Sequence, residues 1–277
     1  MPSLRTLDRP AVVVALLTPF GPDGLPDRAA LRAHVEYLVE ERVDGLMPCG
    51  TTGEGPLLSE ADVASIVASV VEATRGRIPV LAHVGRADTS ATVRLARRAL
   101  ADGADGVSAV VPYYYALEDA QIVAHYRALI GVADGVPAFA YTIPARTGNE
   151  LSVEAARSLA RDGLAGVKDS TKSFERHREY LETGLAVLMG SDGMVAQALA
   201  AGAAGCVSAV ANVRPDLLLR LKHAMVDGRN EEASAVQDEV SALRAELSQG
   251  GEPIAALKRA AAERLAGYPS TVRAPLG

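Results

Sequence analysis

The 277-residue chain contains no tryptophan, only three phenylalanines and only two cysteines. Two cysteines, Cys49 and Cys206, cannot build a disulfide framework, and no Cys/His cluster has the spacing of a metal site. Both lie in or beside apolar runs, which reads as buried, inert thiols and points to a cytoplasmic setting. An excess of basic charge is missing too. The 28 Lys and Arg are scattered among 34 Asp and Glu, for a formal net charge of −6. Without a basic stripe, nucleic acid is excluded as the expected partner, and an anionic substrate must be held by local groups. Long apolar runs are also absent. The longest early one, residues 11–17, ends at Thr18-Pro19, a strand's length and far short of the roughly 20 residues that span a bilayer. The first ten residues hold no apolar signal region.

What is present is a large apolar content, 49% of residues, in short runs. Eight of them, at 12–17, 45–49, 79–84, 106–110, 137–141, 166–168, 187–189 and 206–210, read as parallel strands buried on both faces. Amphipathic helical segments lie between them. One, at 59–75, opens on Ser59 as N-cap, with Val63, Ile66, Val67, Val70 and Val71 at helical spacing; others fall at 89–101 and 153–160. Gly103, Gly135 and Gly163 sit where helices should stop. Eight strand–helix units predict an α/β fold, a (β/α)8 TIM barrel over residues 1–212, although a doubly wound sheet shares the alternation. Three further helical patterns, 215–226, 231–247 and 253–265, predict a C-terminal extension over 213–277 packed on the barrel, with Gly250-Gly251 separating the last two.

A barrel does its chemistry at the C-terminal ends of its strands. There the unusual residues collect: Thr18-Pro19-Phe20, the stretch GTTGE at 50–54, Tyr113-Tyr114-Tyr115, the stretch 141–148 with Tyr141 and Arg146, Lys168-Asp169-Ser170, and Gly190-Ser191-Asp192. Lys168 closes an apolar run. A desolvated amine is a usable nucleophile that condenses with a 2-oxo acid to an iminium; the alternative is a surface lysine paired with Asp169. Thr51 and Thr52 can offer hydroxyls and backbone N–H groups to a carboxylate, or simply cap a turn. Tyr141 can relay protons, or pack at the barrel mouth. Arg146 has the fork to grip a second carboxylate or a phosphate. At most one or two of the three consecutive tyrosines can enter the site. His83 reads as a structural histidine, and His34, His125, His177 and His223 as surface residues of helices.

Together these residues resemble the dihydrodipicolinate synthase/N-acetylneuraminate lyase family of class I aldolases, over nearly the whole chain. GTTGE at 50–54, YxxPxxTG at 141–148, GxKD at 166–169 and GAAGCVSAVANV at 202–213 carry the resemblance. It implies that Lys168 is the Schiff-base lysine, Tyr141 the proton relay, and Thr51 and Thr52 the pyruvate carboxylate site. It also implies that Tyr114 is a relay tyrosine given across a dimer interface, that Val207 turns its carbonyl to the site, and that Ser191 belongs to the substrate-binding rim. A dimer-of-dimers assembly, small-molecule substrates, and no metal or other cofactor are implied as well.

Within that family the branch signals divide. Arg146 matches the arginine with which synthases hold aspartate semialdehyde. Tyr115 in place of an asparagine and Asp169 in place of a glutamate depart from the synthases. Ala87 and Ala91 replace the Asn and Glu of lysine-inhibited forms. PYYY at 112–115, GVKDS at 166–170, GSD at 190–192 and GYPSTVRAPL at 267–276 resemble 2-keto-3-deoxygluconate aldolases, and KDS also resembles 4-hydroxy-2-oxoglutarate aldolases. The expectation is a 2-keto-3-deoxy acid aldolase. The alternatives are a 4-hydroxy-tetrahydrodipicolinate synthase and a non-catalytic keto-acid-binding regulator.

Overall fold

The computed structural model describes residues 10–249 and 253–277; the Gly250-Gly251 break lies outside them. Eight strands form one parallel sheet: β1 (Ala11–Ala15), β2 (Gly45–Met47), β3 (Leu81–His83), β4 (Gly106–Val110), β5 (Ala138–Thr142), β6 (Gly166–Asp169), β7 (Ala186–Met189) and β8 (Gly205–Ser208). Their order is β2-β1-β8-β7-β6-β5-β4-β3. The parallel bridge Leu46↔Val80, with Leu46 N donating to Pro79 O at 3.0 Å, brings the two ends together and closes the barrel.

Between the strands run α1 (Arg28–Glu40), α2 (Glu60–Thr74), α3 (Thr89–Ala101), α4 (Asp119–Ala133), the single turn α5 (Pro144–Thr147), α6 (Val153–Arg161), α7 (Phe174–Leu181) and α8 (Val195–Ala200). After β8 come α9 (Pro215–Val226), α10 (Asn230–Glu246) and α11 (Pro253–Arg264). Ser59 caps α2 through a capping box with Asp62, which satisfies two of the first-turn N–H groups. Gly103, Gly135 and Gly163 follow α3, α4 and α6 with φ of +94°, +87° and +100°, the left-handed geometry that ends a helix.

Strand edges differ from the expected ones where the backbone cannot ladder. The second run stops at Met47 because Pro48 has no N–H and Cys49 turns left-handed at φ 63°. The third begins at Leu81, two residues after Pro79. The eighth ends at Ser208, and Val210–Asn212 forms a tight 3-10 turn.

Period-two alternation divides the core in two. Ala11, Val13, Ala15, Met47, Leu81, Phe139, Leu188 and Val207 pack inside the barrel. Val12, Val14, Leu46, Ala82, Val107, Ala140, Val167, Val187 and Cys206 point outward beneath the helices. The same alternation sends Lys168 inward and Asp169 outward. Gly166 is required at the base of β6, because a Cβ there would meet Ala186 O at 2.3 Å and the Phe139 ring at 2.4 Å.

Three of the helix histidines are buried, contrary to the surface reading. His34 Nε2 lies 3.0 Å from Asn212 O, His125 Nδ1 2.9 Å from Thr89 Oγ1, and His177 Nδ1 2.9 Å from Asp169 Oδ2. Each sits on the apolar face of its helix and is accommodated by one partner; His223 alone of the four is exposed. Among the described residues no helix is long and apolar enough to cross a membrane. Cys49 and Cys206 are free and buried, and burial pushes both thiols up, Cys49 to about 12.

Candidate active site

Strand register sets the central group. Tyr141 on β5 pairs with Lys168 on β6, and Lys168 with Leu188 on β7. All three are inward-facing positions. Lys168 is 4% exposed and its Nζ lies 4.0 Å from the centroid of the Tyr141 ring. Its hydrogen-bond partner among the described residues is Met47 Sδ at 3.9 Å, a weak acceptor. Among the described residues no carboxylate lies within ion-pair distance of it. Asp169 is engaged on the opposite face: Oδ2 with His177 Nδ1, Oδ1 with Thr171 N and Oγ1 at 2.9 and 2.7 Å. The surface-lysine alternative therefore fails. Lysine is rarely buried without a partner, and this one ends in an open cleft.

Thr51 Oγ1 stands 3.2 Å from the Tyr141 hydroxyl. The turn that carries it is compact. Glu54 N donates to Thr51 O at 3.1 Å and Gly55 N to Gly50 O at 2.9 Å. Gly53 admits the close approach, since a Cβ there would meet Leu16 O at 2.8 Å. His83 packs edge-on against Tyr141, with ring centroids 5.9 Å apart, and its Nε2 accepts from Val110 N at 3.1 Å. Burial, reinforced by the nearby Lys168 charge, holds the His83 ring at about 3, so it stays neutral.

The cleft has a volume of about 540 Å³, within the range of small-molecule sites. Thr51, Thr52, Tyr141, Arg146, Lys168, Ser191 and Val207 all line it, so seven of the eight residues singled out from sequence come together. Tyr114 does not. It is 85% exposed, has φ of 84°, and makes an edge contact with Tyr115, also exposed, at 5.1 Å between ring centroids. Tyr113 instead lines a neighbouring hollow with His83, Arg146 and Leu276.

Further residues line the cleft. Gly190, in the rim stretch 190–192, has a role that no motif shows: a Cβ there would meet Ser170 Oγ at 2.1 Å, Asp169 O at 3.0 Å and Lys168 Cε at 3.2 Å. Its bareness makes room for the lysine stem. Ser170 and Lys172, from the loop after β6, lie on the wall, as does Arg244 of α10. Asp192 is buried there, with Oδ2 accepting from Val210 N at 3.3 Å, and burial pushes its carboxyl up. Ile254 and Leu257 of α11 complete the wall. No local motif marks Lys172, Arg244, Ile254 or Leu257, and the last three lie on helices that arrive from the far end of the chain. Among the described residues no cluster of His, Cys, Asp and Glu could hold a metal ion.

A sequence model of the dihydrodipicolinate synthetase family matches residues 9–277. An uncharacterized DapA-like lyase of Halobacterium salinarum is 41% identical over 247 residues, 86% of this chain and 79% of that one. A 4-hydroxy-tetrahydrodipicolinate synthase of Gluconacetobacter diazotrophicus is 36% identical over 269 residues, 95% of this chain and 90% of that one. Among solved structures, dihydrodipicolinate synthase from Aquifex aeolicus superposes with a TM-score of 0.91 at 30% identity, over 97% of this chain and 92% of that chain.

Proposed function

The chain belongs to the dihydrodipicolinate synthetase family of pyruvate-dependent class I lyases, and on that premise we propose that Lys168 forms the pyruvate Schiff base and that the product is a 2-keto-3-deoxy acid. The observation that carries the assignment is the buried Lys168 amine, with no carboxylate in ion-pair distance among the described residues, beside the Thr51–Tyr141 pair.

The Lys168 amine adds to C2 of pyruvate and water leaves, giving an iminium. The iminium acidifies C3, and loss of a C3 proton yields an enamine. The enamine carbon attacks an aldehyde, forming the new carbon–carbon bond, while the Tyr141 hydroxyl delivers a proton to the aldehyde oxygen. Water then releases the product and restores the amine. Cleavage runs the same steps backwards. Thr51 and Thr52 receive the pyruvate carboxylate with hydroxyls, which keeps full charge away from the amine.

The hydroxyls of Ser170, Ser191 and Ser241 on the cleft wall support a polyhydroxylated aldehyde partner, and Lys172 and Arg244 support a product with an anionic far end. A second reading, 4-hydroxy-tetrahydrodipicolinate synthase, is supported by Arg146 on the same wall and by the relatives of that name. The two separate in one comparison, steady-state kinetics of pyruvate with glyceraldehyde, glyoxylate and aspartate semialdehyde. A kcat/KM highest for glyceraldehyde supports the aldolase, highest for aspartate semialdehyde the synthase. Silence across the panel supports a keto-acid-binding regulator.

A cytoplasmic dimer of dimers belongs to the same reading, with Tyr114 reaching a neighbouring subunit's site. Its 85% exposure in the single chain supports that placement. Sedimentation of Tyr114→Ala beside the native protein tests it: a smaller assembly with lowered activity agrees, and unchanged size with full activity does not.

A further inference from the structure

We infer that the buried ion pair between Glu54 and Lys258, tied to the segment around Arg273, positions the Thr51-Thr52 turn, so that the C-terminal extension is a working part of the substrate-carboxylate site. The inference rests on the pyruvate reading above.

The turn at 50–54 is bounded by two non-glycine residues in left-handed geometry, Cys49 at φ 63° and Glu54 at φ 59°. Such conformations persist where surrounding structure over-determines them. From the barrel side, Thr18 Oγ1 donates to Gly53 O at 2.8 Å. From the C-terminal side, Lys258 Nζ meets Glu54 Oε1 at 2.5 Å, and Arg273 N donates to Glu54 Oε2 at 2.8 Å. Glu54 and Lys258 are both buried.

The clamp extends further. Lys258 Nζ also donates to Thr271 O at 2.7 Å and sits 4.2 Å from the centroid of the Phe20 ring. The Arg273 guanidinium lies 4.6 Å from the same centroid and donates to Leu57 O and Asp62 Oδ2, each at 2.9 Å. One network thus joins the loops after β1 and β2, the start of α2, α11 and the terminal segment. Leu257, one residue before Lys258, lies on the cleft wall. α11 therefore touches the cleft and the turn within adjacent residues.

A stabilising role alone is a poor account of these charges. Desolvating both partners offsets much of their attraction, and an apolar pair of like volume would often be as stable. What the ion pair adds is direction: it sets where the Glu54 carboxylate lies, and Glu54 is two residues from Thr52.

The test is the double variant Glu54→Gln/Lys258→Met, which leaves no buried charge unpaired, with Arg273→Ala as a second variant. Borohydride trapping of pyruvate is titrated in each and in the native protein, beside thermal melting. The expected result is a native-like melt, complete trapping at saturating pyruvate, and a pyruvate half-saturation raised about ten- to a hundredfold, the scale of a small misplacement of binding groups. A half-saturation within about twofold of native in a folded variant overturns the inference, since that is far below the same scale. If the double variant does not fold, Arg273→Ala decides by the same criterion. No trapping in the native protein overturns the pyruvate reading itself, so the two failures are distinct.

Discussion

Thr51 Oγ1 and the Tyr141 hydroxyl stand 3.2 Å apart, linking the turn after β2 to the end of β5. That contact is the one a proton path through the phenol requires, and the proposed relay role of Tyr141 can be tested on it. Tyr141→Phe is expected to lower kcat by about 10²- to 10⁴-fold, the usual scale for losing a positioned proton donor. Thr51→Val should act in the same direction. Steady-state kinetics measure both, and a loss below about tenfold for Tyr141→Phe would remove the phenol from the relay.

Gly190 is expected to tolerate no side chain. In Gly190→Ala the new methyl meets Ser170 Oγ, Asp169 O and Lys168 Cε, so the Lys168 stem must shift. The overpacking should cost about 1–3 kcal/mol in melting experiments and slow the trapping of pyruvate. An alanine variant with native stability and trapping rate would show that the strand end yields freely.

Acid should destabilise the fold through its buried histidines. Burial holds His34 and His125 at about 4 and His83 at about 3, all below the ordinary value of 6.5. Between 6.5 and those values the unfolded chain binds protons that the folded chain refuses. Stability from this source is therefore complete above 6.5 and falls as pH drops, by about 1.4 kcal/mol per pH unit for each histidine. Replacing His125 with glutamine should flatten the denaturation midpoint between pH 6 and 4.5. A slope identical to native in that variant contradicts the assignment.

Arg146→Ala separates the two substrate readings. If Arg146 grips a second carboxylate with its fork, the variant loses far more kcat/KM on dicarboxylate products than on sugar acids. Equal losses on both classes would assign the guanidinium to cleft architecture.

Much of the barrel was legible because strand parity is a local property. Lys168, Tyr141 and Val207 each end or sit within a short apolar run, and period two alone sends them inward. The same parity, applied one residue on, would have turned Asp169 outward to His177. The buried histidines were misread because polarity was weighed without the helix face on which each sits. Gly190 and Glu54 both lie in marked rim stretches, but the need for a bare backbone at Gly190 and the pairing of Glu54 with Lys258 had no local signal. The glycine matters through what a Cβ would strike on β6, and the ion pair joins positions far apart in the chain. Tyr114 is legible only through resemblance, since a single chain leaves it in solvent.

The most direct measurement is intact-mass and peptide analysis after incubating the protein with pyruvate and borohydride. One reduced pyruvate per chain is expected, on the peptide containing Lys168, and none in Lys168→Ala. An unmodified chain, or an adduct on another lysine that survives in Lys168→Ala, would contradict the assignment of Lys168.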